Sequence, residues 1–412
     1  MTEAPLSDVR VLDLTRLLPG GFCSLLLADF GADVVKVEDT GMGDYVRWAP
    51  PYYGTDDQQA LGTRSALYLA LNRGKRSIRL DLKSGEGRDA LLRLASDADV
   101  VLESFRPGVL DRLGCGYEAL RSTNPRIVYC AITGYGQTGP HTARAGHDTD
   151  YLALNGLLGL TGEEGGRPIQ SAGQIADLGG GAMMAAFGVV AALRERERSG
   201  EGQLVDVSMT DGSLAWLCMV AAQYLCDGEV PGRGRGALNG GIACYLPYEA
   251  ADGWVVCGAL ETKFWRAFCE GAGRPDLIEQ QFAPPGSEGW RQIAEVFRSR
   301  TREEWRAFND EHDAMIEPIL DLDEALDSQL VQDREMVVEL EQPELGPVRL
   351  LGLPIKFSRT PGDPARPAPA LGEHTEEVLR EAGFEDGEIG ELTESGVAAG
   401  PNAAVEPERF MG

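Results

Sequence analysis

Between residues 9 and 132 short runs of Val, Ile and Leu alternate with stretches of helical spacing, and a chain patterned this way is driven toward a parallel sheet covered by helices. Residues 9–14, 33–37, 77–82, 100–103 and 127–132 read as strands, and 22–30, 85–95 and 117–122 as helices. The fold class is therefore α/β, with a Rossmann-like parallel-sheet large domain. Glu38 follows the second strand, where a dinucleotide fold places its ribose-binding acid. The first loop, however, reads Leu18-Pro19-Gly20-Gly21 and lacks G-x-G-x-x-G, so a nicotinamide cofactor is not expected.

Further along, residues 151–159 and 175–198 read as buried helices, the second rich in Gly, Ala and Met. Residues 228–241 are glycine-rich enough to be a flexible connector. Beyond them, 243–248 and 253–259 read as an antiparallel hairpin, followed by helices over 262–271, 290–298 and 301–310. We expect a large domain over 1–210, a linker over 211–237, a small α+β domain over 238–330, and a linker with a C-terminal return to the large domain over 331–412.

Composition narrows the partners. The net charge of −27 repels phosphate backbones and anionic lipid surfaces, so neither nucleic acid nor a membrane is an expected partner. The longest apolar run, 182–193, falls short of a membrane span, the first thirty residues lack a signal pattern, and Phe410-Met411-Gly412 is no peroxisomal address. A cytoplasmic protein is expected. Against the acidic background, residues 71–93 carry 7 basic and 3 acidic residues, a cationic island suited to a small anionic ligand or to a solvated helix face. The eight cysteines form no C-x-x-C pair and mostly sit among apolar neighbours, as reduced core thiols do. The four histidines show no metal-binding spacing, so no metal is expected.

Three residues are candidates for chemistry. Asp177 opens the 175–198 helix, either as an N-cap or as a functional carboxylate; Gly179-Gly180-Gly181 behind it would leave backbone N–H groups open to an oxyanion. His147 follows a glycine-rich loop from the end of a strand, and an imidazole, ordinarily titrating at about 6.5, suits proton transfer near neutrality. Glu261 ends an apolar strand, as a helix-start charge or as a partner orienting the histidine.

Several separated motifs occur in order: Leu71-Asn72-Arg73-Gly74-Lys75-Arg76-Ser77, Glu103-Ser104-Phe105-Arg106-Pro107-Gly108, Gly134-Tyr135-Gly136-Gln137-Thr138-Gly139-Pro140, Gly202-Gln203-Leu204-Val205-Asp206-Val207 and Gly372-Glu373-His374-Thr375. Together they resemble the class III CoA-transferase family, of CaiB/BaiF type. The α-methylacyl-CoA racemase branch is the nearest, because Gly146-His147-Asp148-Thr149-Asp150-Tyr151 resembles its G-H-D-x-x-Y motif, and Asp177 follows the histidine by the racemase interval.

The resemblance implies His147 and Asp177 as catalytic bases, Glu261 as a catalytic partner from the smaller domain, and Gly146, Asp148 and Tyr151 at the substrate. It implies CoA contacts at Leu71, Asn72, Arg73, Gly74, Lys75, Ser104, Phe105, Arg106 and Arg112. Where many members have Glu-Arg after the second strand, this chain has Glu38-Asp39. The implied activity is racemisation of 2-methylacyl-CoA thioesters by two bases, with an interlocked homodimer and no cofactor beyond the substrate's CoA. The alternatives are a CoA-transferase with Asp177 as acyl-accepting nucleophile, and a non-catalytic acyl-CoA-binding scaffold.

Overall fold

The computed structural model describes residues 4–54 and 62–405, so Phe410-Met411-Gly412 lies outside them. The chain divides into two compact units. The first comprises Met1–Asn155, Gly173–Trp216 and Leu330–Gly412; the second comprises Gly156–Ala172 and Leu217–Gln329. Residues 156–172, expected in the large domain, belong to the second unit. Residues 217–237 are not simply a linker, because Cys218–Asp227 is an α-helix of that unit. On it, Cys218 and Cys226 are exposed rather than core thiols.

Six strands of the first unit, β1 (Arg10–Asp13), β2 (Asp33–Glu38), β3 (Arg76–Leu80), β4 (Val100–Glu103), β5 (Val128–Thr133) and β6 (Leu204–Ser208), pair in parallel. The sheet order is β3-β2-β1-β4-β5-β6, with Ala398–Ala399 added antiparallel beside β3. Consecutive residues such as Val11 and Leu12, Val34 and Val35, or Val100 and Val101 are all buried. Successive side chains point to opposite faces, so burial of both members of each pair means that both faces are covered, as parallel sheets require.

The helices over these faces are α1 (Leu17–Asp29), α2 (Ala66–Asn72), α3 (Gly85–Ala95), α4 (Val109–Leu113) and α5 (Tyr117–Thr123). Ser65 and Ser84 cap α2 and α3, each accepting a backbone N–H three residues on. The first helix begins five residues before the sequence places it and absorbs Pro19-Gly20-Gly21. Gly20 is needed for packing: a Cβ on it would lie 2.0 Å from the Thr15 Cβ.

Neighbour order fixes where a ligand can sit. β1 is flanked by β2 on one side and β4 on the other, so the chain departs from it in opposite directions. Loops leaving the carboxyl ends of β1 and β4 diverge there and open a crevice.

The helical run 175–199 starts earlier than the apolar stretch in the sequence, as a π-helical segment Ile175–Met183 continued by the α-helix Met184–Ser199. Its 25 residues make it the one helix among the described residues long and apolar enough to cross a membrane, which length and hydropathy did not suggest for 182–193 alone. Ala182, Ala185, Val189 and Ala192 on it are buried, and it packs on α1, β5 and β6.

The second unit holds an antiparallel sheet of β7 (Leu246–Ala250), β8 (Gly253–Cys257) and β9 (Ile316–Pro318), covered by Thr262–Gly271, Glu288–Arg298 and Arg302–His312. Its core is aromatic. Phe297 stacks on Tyr248 at 4.2 Å and on Phe268 at 5.0 Å, while Trp265 and Trp305 are fully buried.

Candidate active site

The crevice is a real cavity. A space of about 450 Å³ opens at the carboxyl ends of β1, β4 and β5, and His147, Asp177, Arg16, Phe105 and Arg106 line it. All of its lining residues belong to the first unit. A larger cavity of about 700 Å³ lies toward β2 and β3, lined by Arg16, Asp39, Tyr45, Lys83 and Phe105 among others.

His147 immediately precedes helix α6 (Asp148–Leu154) and is exposed. Its backbone is pinned, because the His147 N–H donates to Asp150 Oδ2 at 2.9 Å and the Asp150 N–H donates back to the His147 carbonyl at 2.8 Å. The preceding loop is held by Tyr151, whose hydroxyl donates to the Gly146 carbonyl at 2.6 Å and whose ring meets Tyr135 edge-on at 5.2 Å. A Cβ on Gly146 would lie 2.7 Å from the Tyr151 ring, so glycine lets the loop close on that ring.

Asp148 ties this loop to Asp177. It is buried, and its Oδ2 accepts from the N–H groups of Ala176 at 2.6 Å and Asp177 at 3.0 Å. Its position corrects two expectations. Asp148 is a brace rather than a substrate contact, and the amides beside Asp177 are already bonded rather than open to an oxyanion. Nor is Asp177 an N-cap, since Gln174 takes that position.

The glycines behind Asp177 serve close packing. Added Cβ atoms would lie 2.4 Å from the Trp216 ring at Gly179, 2.7 Å from backbone atoms of Met209 and Ser213 at Gly180, and 2.8 Å from the Met209 Cγ at Gly181. At Gly180 backbone approaches backbone, while the Trp216 ring and the Met209 side chain press on Gly179 and Gly181, and the wide π turn carries Asp177 into the cavity wall; such turns favour functional positions. Burial raises the Asp177 carboxyl, the charge of Asp148 raises it further, and His147 opposes both, leaving it at about 6. One cavity thus presents an exposed imidazole and a carboxyl raised toward neutrality.

The sequence matches the model of CoA-transferase family III across residues 6–375. The chain belongs to that family. It is 40% identical over 403 residues to the succinyl-CoA:mesaconate CoA-transferase of Haloarcula marismortui, covering 93% of this chain and 97% of that protein. It is 39% identical over 398 residues to the mouse alpha-methylacyl-CoA racemase, covering 94% of this chain and 96% of that protein. Among solved structures, a CAIB/BAIF family protein from Brucella suis aligns with a TM-score of 0.79 and 31% identity over 92% of this chain and 100% of that one.

Within this family fold, Arg73 and Lys75 of the cationic island are buried in ion pairs, whereas Lys83 lines the larger cavity. The Arg73 guanidinium is buried against Asp29, with Nε 3.0 Å and Nη2 2.7 Å from its two carboxylate oxygens. The Lys75 ammonium, fully buried, donates to Ser24 Oγ at 2.7 Å and to Asn72 Oδ1 at 2.9 Å, and lies 3.4 Å from Asp13. Burial lowers Lys75 to about 8 against the pull of Asp13. Leu71 and Asn72 are buried as well, Asn72 donating to the Tyr68 carbonyl. The side chains of Leu71, Asn72, Arg73 and Lys75 therefore face inward, and Gly74 lines neither cavity. Glu38, the ribose-acid position of a dinucleotide fold, is likewise occupied, gripped by Arg47 at 2.7 and 2.6 Å.

The β4 loop keeps its expected place: Ser104, Phe105 and Arg106 line the smaller cavity. Glu103 anchors them by accepting the Phe105 N–H at 2.7 Å. Arg112 is exposed on α4 and lines neither cavity, whereas Glu261 is an exposed residue preceding Thr262–Gly271 in the second unit.

Sequence reasoning missed Arg16. It lies three residues beyond the end of β1, and its N–H donates to Ser104 Oγ at 3.1 Å. Next to it Leu17 has a φ of 64°, a left-handed conformation costing about 1–3 kcal/mol for a non-glycine residue. Asp44 Oδ1 accepts the Leu17 N–H at 3.1 Å and holds the bend. The signal available was position alone, at the carboxyl end of the first strand.

Proposed function

We propose that the protein is a racemase of 2-methylacyl-CoA thioesters, with His147 and Asp177 as its two bases. The observation that carries this reading is the sharing of one cavity by an exposed imidazole and a carboxyl raised to about 6. A thioester acidifies its α-carbon, and exchange of configuration needs a proton removed from one face and returned to the other. One group takes the α-proton as a base while its opposite number, already protonated, donates to the far face of the planar enolate. Because Asp177 is raised to about 6, its carboxyl can serve as base or, once protonated, as acid near neutrality, and the reaction can run in both directions. Asp148 keeps Asp177 from moving by bonding its amide, which fixes the carboxyl relative to His147.

The test is to incubate the enzyme with (R)- and (S)-2-methylacyl-CoA separately in deuterated water. Deuterium should enter C2 from either epimer, and both should converge on one mixture. Saturable binding without exchange would leave an acyl-CoA-binding scaffold.

The 40% identical relative named as a CoA-transferase supports a second reading, in which Asp177 attacks the thioester and carries the acyl group as a mixed anhydride. Hydroxylamine trapping at Asp177 during turnover, together with CoA transfer to a free acid, would replace racemisation by transfer.

A further inference from the structure

We propose that Glu103 is a positioning residue beneath the β4 loop, and that its carboxyl is a proton switch: ionised, it sets Phe105 and its neighbours in the cavity wall; protonated, it holds them less firmly. The inference rests on the acyl-CoA reading above for its ligand and adds to it a regulation of that site by pH.

The two strands beside β1, namely β2 and β4, each end in a buried glutamate, 5% exposed at Glu38 and 4% at Glu103. Glu38 is gripped by the Arg47 guanidinium, whereas no cation pairs with Glu103 among the described residues. The Glu103 carboxylate is held by neutral donors alone: the Phe105 N–H donates to its Oε2 at 2.7 Å, and the Tyr129 hydroxyl on β5 bonds to it as well. A buried carboxylate with no counter-charge is costly to keep ionised, so its protonation state is poorly fixed by the fold.

The groups around it are mostly acids. Glu103 stands opposite Ala131 on β5, and Ala131 opposite Asp206 on β6, so the two carboxyls lie in one row across the sheet with only the Ala131 methyl between them. Asp206 also pins a loop, accepting the Gln137 N–H at 3.1 and 3.0 Å. Asp111 faces the row from α4, and the thiols of Cys115 and Cys130 are pushed up by burial and stay neutral. Arg88 reaches α4 from α3 but donates to the Leu113 carbonyl at 3.3 Å. Burial raises Glu103, the bonds from Phe105 and Tyr129 oppose it, and the charges of Asp111 and Asp206 add to burial, leaving the carboxyl at about 7.

A hydrogen bond to an ionised oxygen is roughly twice as strong as one to a neutral group, so the Phe105 N–H is held firmly above that pH and weakly below it. Phe105 lines both cavities, Arg106 lines the one with His147 and Asp177, and Ser104 Oγ accepts the Arg16 N–H at 3.1 Å. One carboxyl therefore acts on the wall built from the ends of β1 and β4.

The experiment measures Kd by calorimetry from pH 6 to pH 8 for the S-propyl thioether of 3'-dephospho-CoA, a probe with no acidic α-proton and no phosphate that titrates in this range. Wild type should bind about three- to tenfold more weakly at pH 6 than at pH 8. Glu103→Gln keeps an acceptor oxygen for the Phe105 N–H and has no proton to lose, so it should bind at the low-pH level throughout. Tyr129→Phe removes a bond that favours the ionised form and should move the midpoint to higher pH. Asp111→Asn, at an exposed position where folding is not at stake, removes an opposing charge and should move it to lower pH. A merely structural glutamate would leave the midpoint unmoved in both. A flat wild-type profile, a pH dependence that survives in Glu103→Gln, or a midpoint unmoved by both Tyr129→Phe and Asp111→Asn overturns the proposal. Failure of the wild-type protein to bind any CoA ester at any pH would instead overturn the acyl-CoA reading.

Discussion

Two charged regions of the first unit use the same residue types in opposite ways. Around β2 and β3 the cations Lys36, Arg47, Arg73 and Lys75 are buried and matched to Asp44, Glu38, Asp29 and Asp13. At the carboxyl ends of β1, β4 and β5, Arg16, Arg106, His147 and Asp177 instead face a cavity. One carboxyl from each region shows the contrast. Burial would raise Glu38, but the charge and hydrogen bonds of Arg47 reverse it to about 2, whereas Asp177, with burial and Asp148 acting together, stands at about 6. A charge that has found a partner inside the protein supports the fold; a charge left facing a cavity remains available for chemistry.

The largest test of this contrast is His147→Phe. Its side chain is exposed, so thermal unfolding should move little, while racemisation should fall ~10²–10⁴-fold, the usual cost of losing a general base. Asp177→Asn should also stop racemisation, and each variant should retain deuterium exchange with the opposite epimer. Full racemisation by His147→Phe would break the two-base assignment.

Lys75→Met is the counterpart in the buried region. It leaves Asp13 deprived of an ammonium 3.4 Å away, and breaking a buried pair costs ~3–5 kcal/mol. Urea unfolding should show that loss, and the protein that remains folded should bind CoA esters as wild type does. Intact stability with weakened CoA binding would return the cationic island to the ligand.

The opposed carboxyls predict opposite responses to pH. Glu38 lies below its ordinary 4.5, so the stability it contributes is present above that value and lost as pH falls toward 2. Glu38→Gln should flatten acid unfolding over that window. Asp177 lies above its ordinary 3.8, so the native state holds an extra proton between there and about 6, and stability falls as pH rises through that range. Asp177→Asn should remove this slope. Proton abstraction by Asp177 should rise through pH about 6, and Asp148→Asn, which removes a charge that raises Asp177, should shift that limb to lower pH.

The smallest effects separate two arginines of the β4 loop region. Arg106→Ala, which takes away a cavity-lining cation, should raise KM for a CoA ester about tenfold, in keeping with ~1.5–3 kcal/mol for a charge-assisted contact. Arg112→Ala removes an exposed charge outside both cavities and should change KM less, within the ~1 kcal/mol of a screened pair. An equal effect of the two would extend the binding surface onto α4.

Much of this arrangement was legible beforehand. Strand positions followed from runs of apolar β-branched residues, which a strand buried on both faces favours, even where paired charges such as Lys36 and Glu38 interrupt them. Helix 262–271 was read to the residue because its apolar spacing and the glycine at its end leave one solution. His147 and Asp177, read as candidates from their motif and interval, line one cavity. Misreadings fell where the deciding contact was distant in sequence. The Pro19-Gly20-Gly21 run looked like a loop but packs as helix against Thr15, and Gly179-Gly180-Gly181 looked like open backbone but receives Trp216, Met209 and Ser213.

The sequence by itself determined the α/β class, the order of the strands along the chain, the family, and His147 and Asp177 as candidates, because each is written in local pattern or spacing. Tertiary structure alone decided which charges were spent. Nothing local to Arg73 reveals that Asp29 stands opposite it, and nothing local to Arg16 reveals that no buried carboxylate does. Whether a charged side chain supports the fold or faces a ligand depends on what the fold brings next to it, and for Arg73 that is settled by the packing of α1 against α2 rather than by position along the chain.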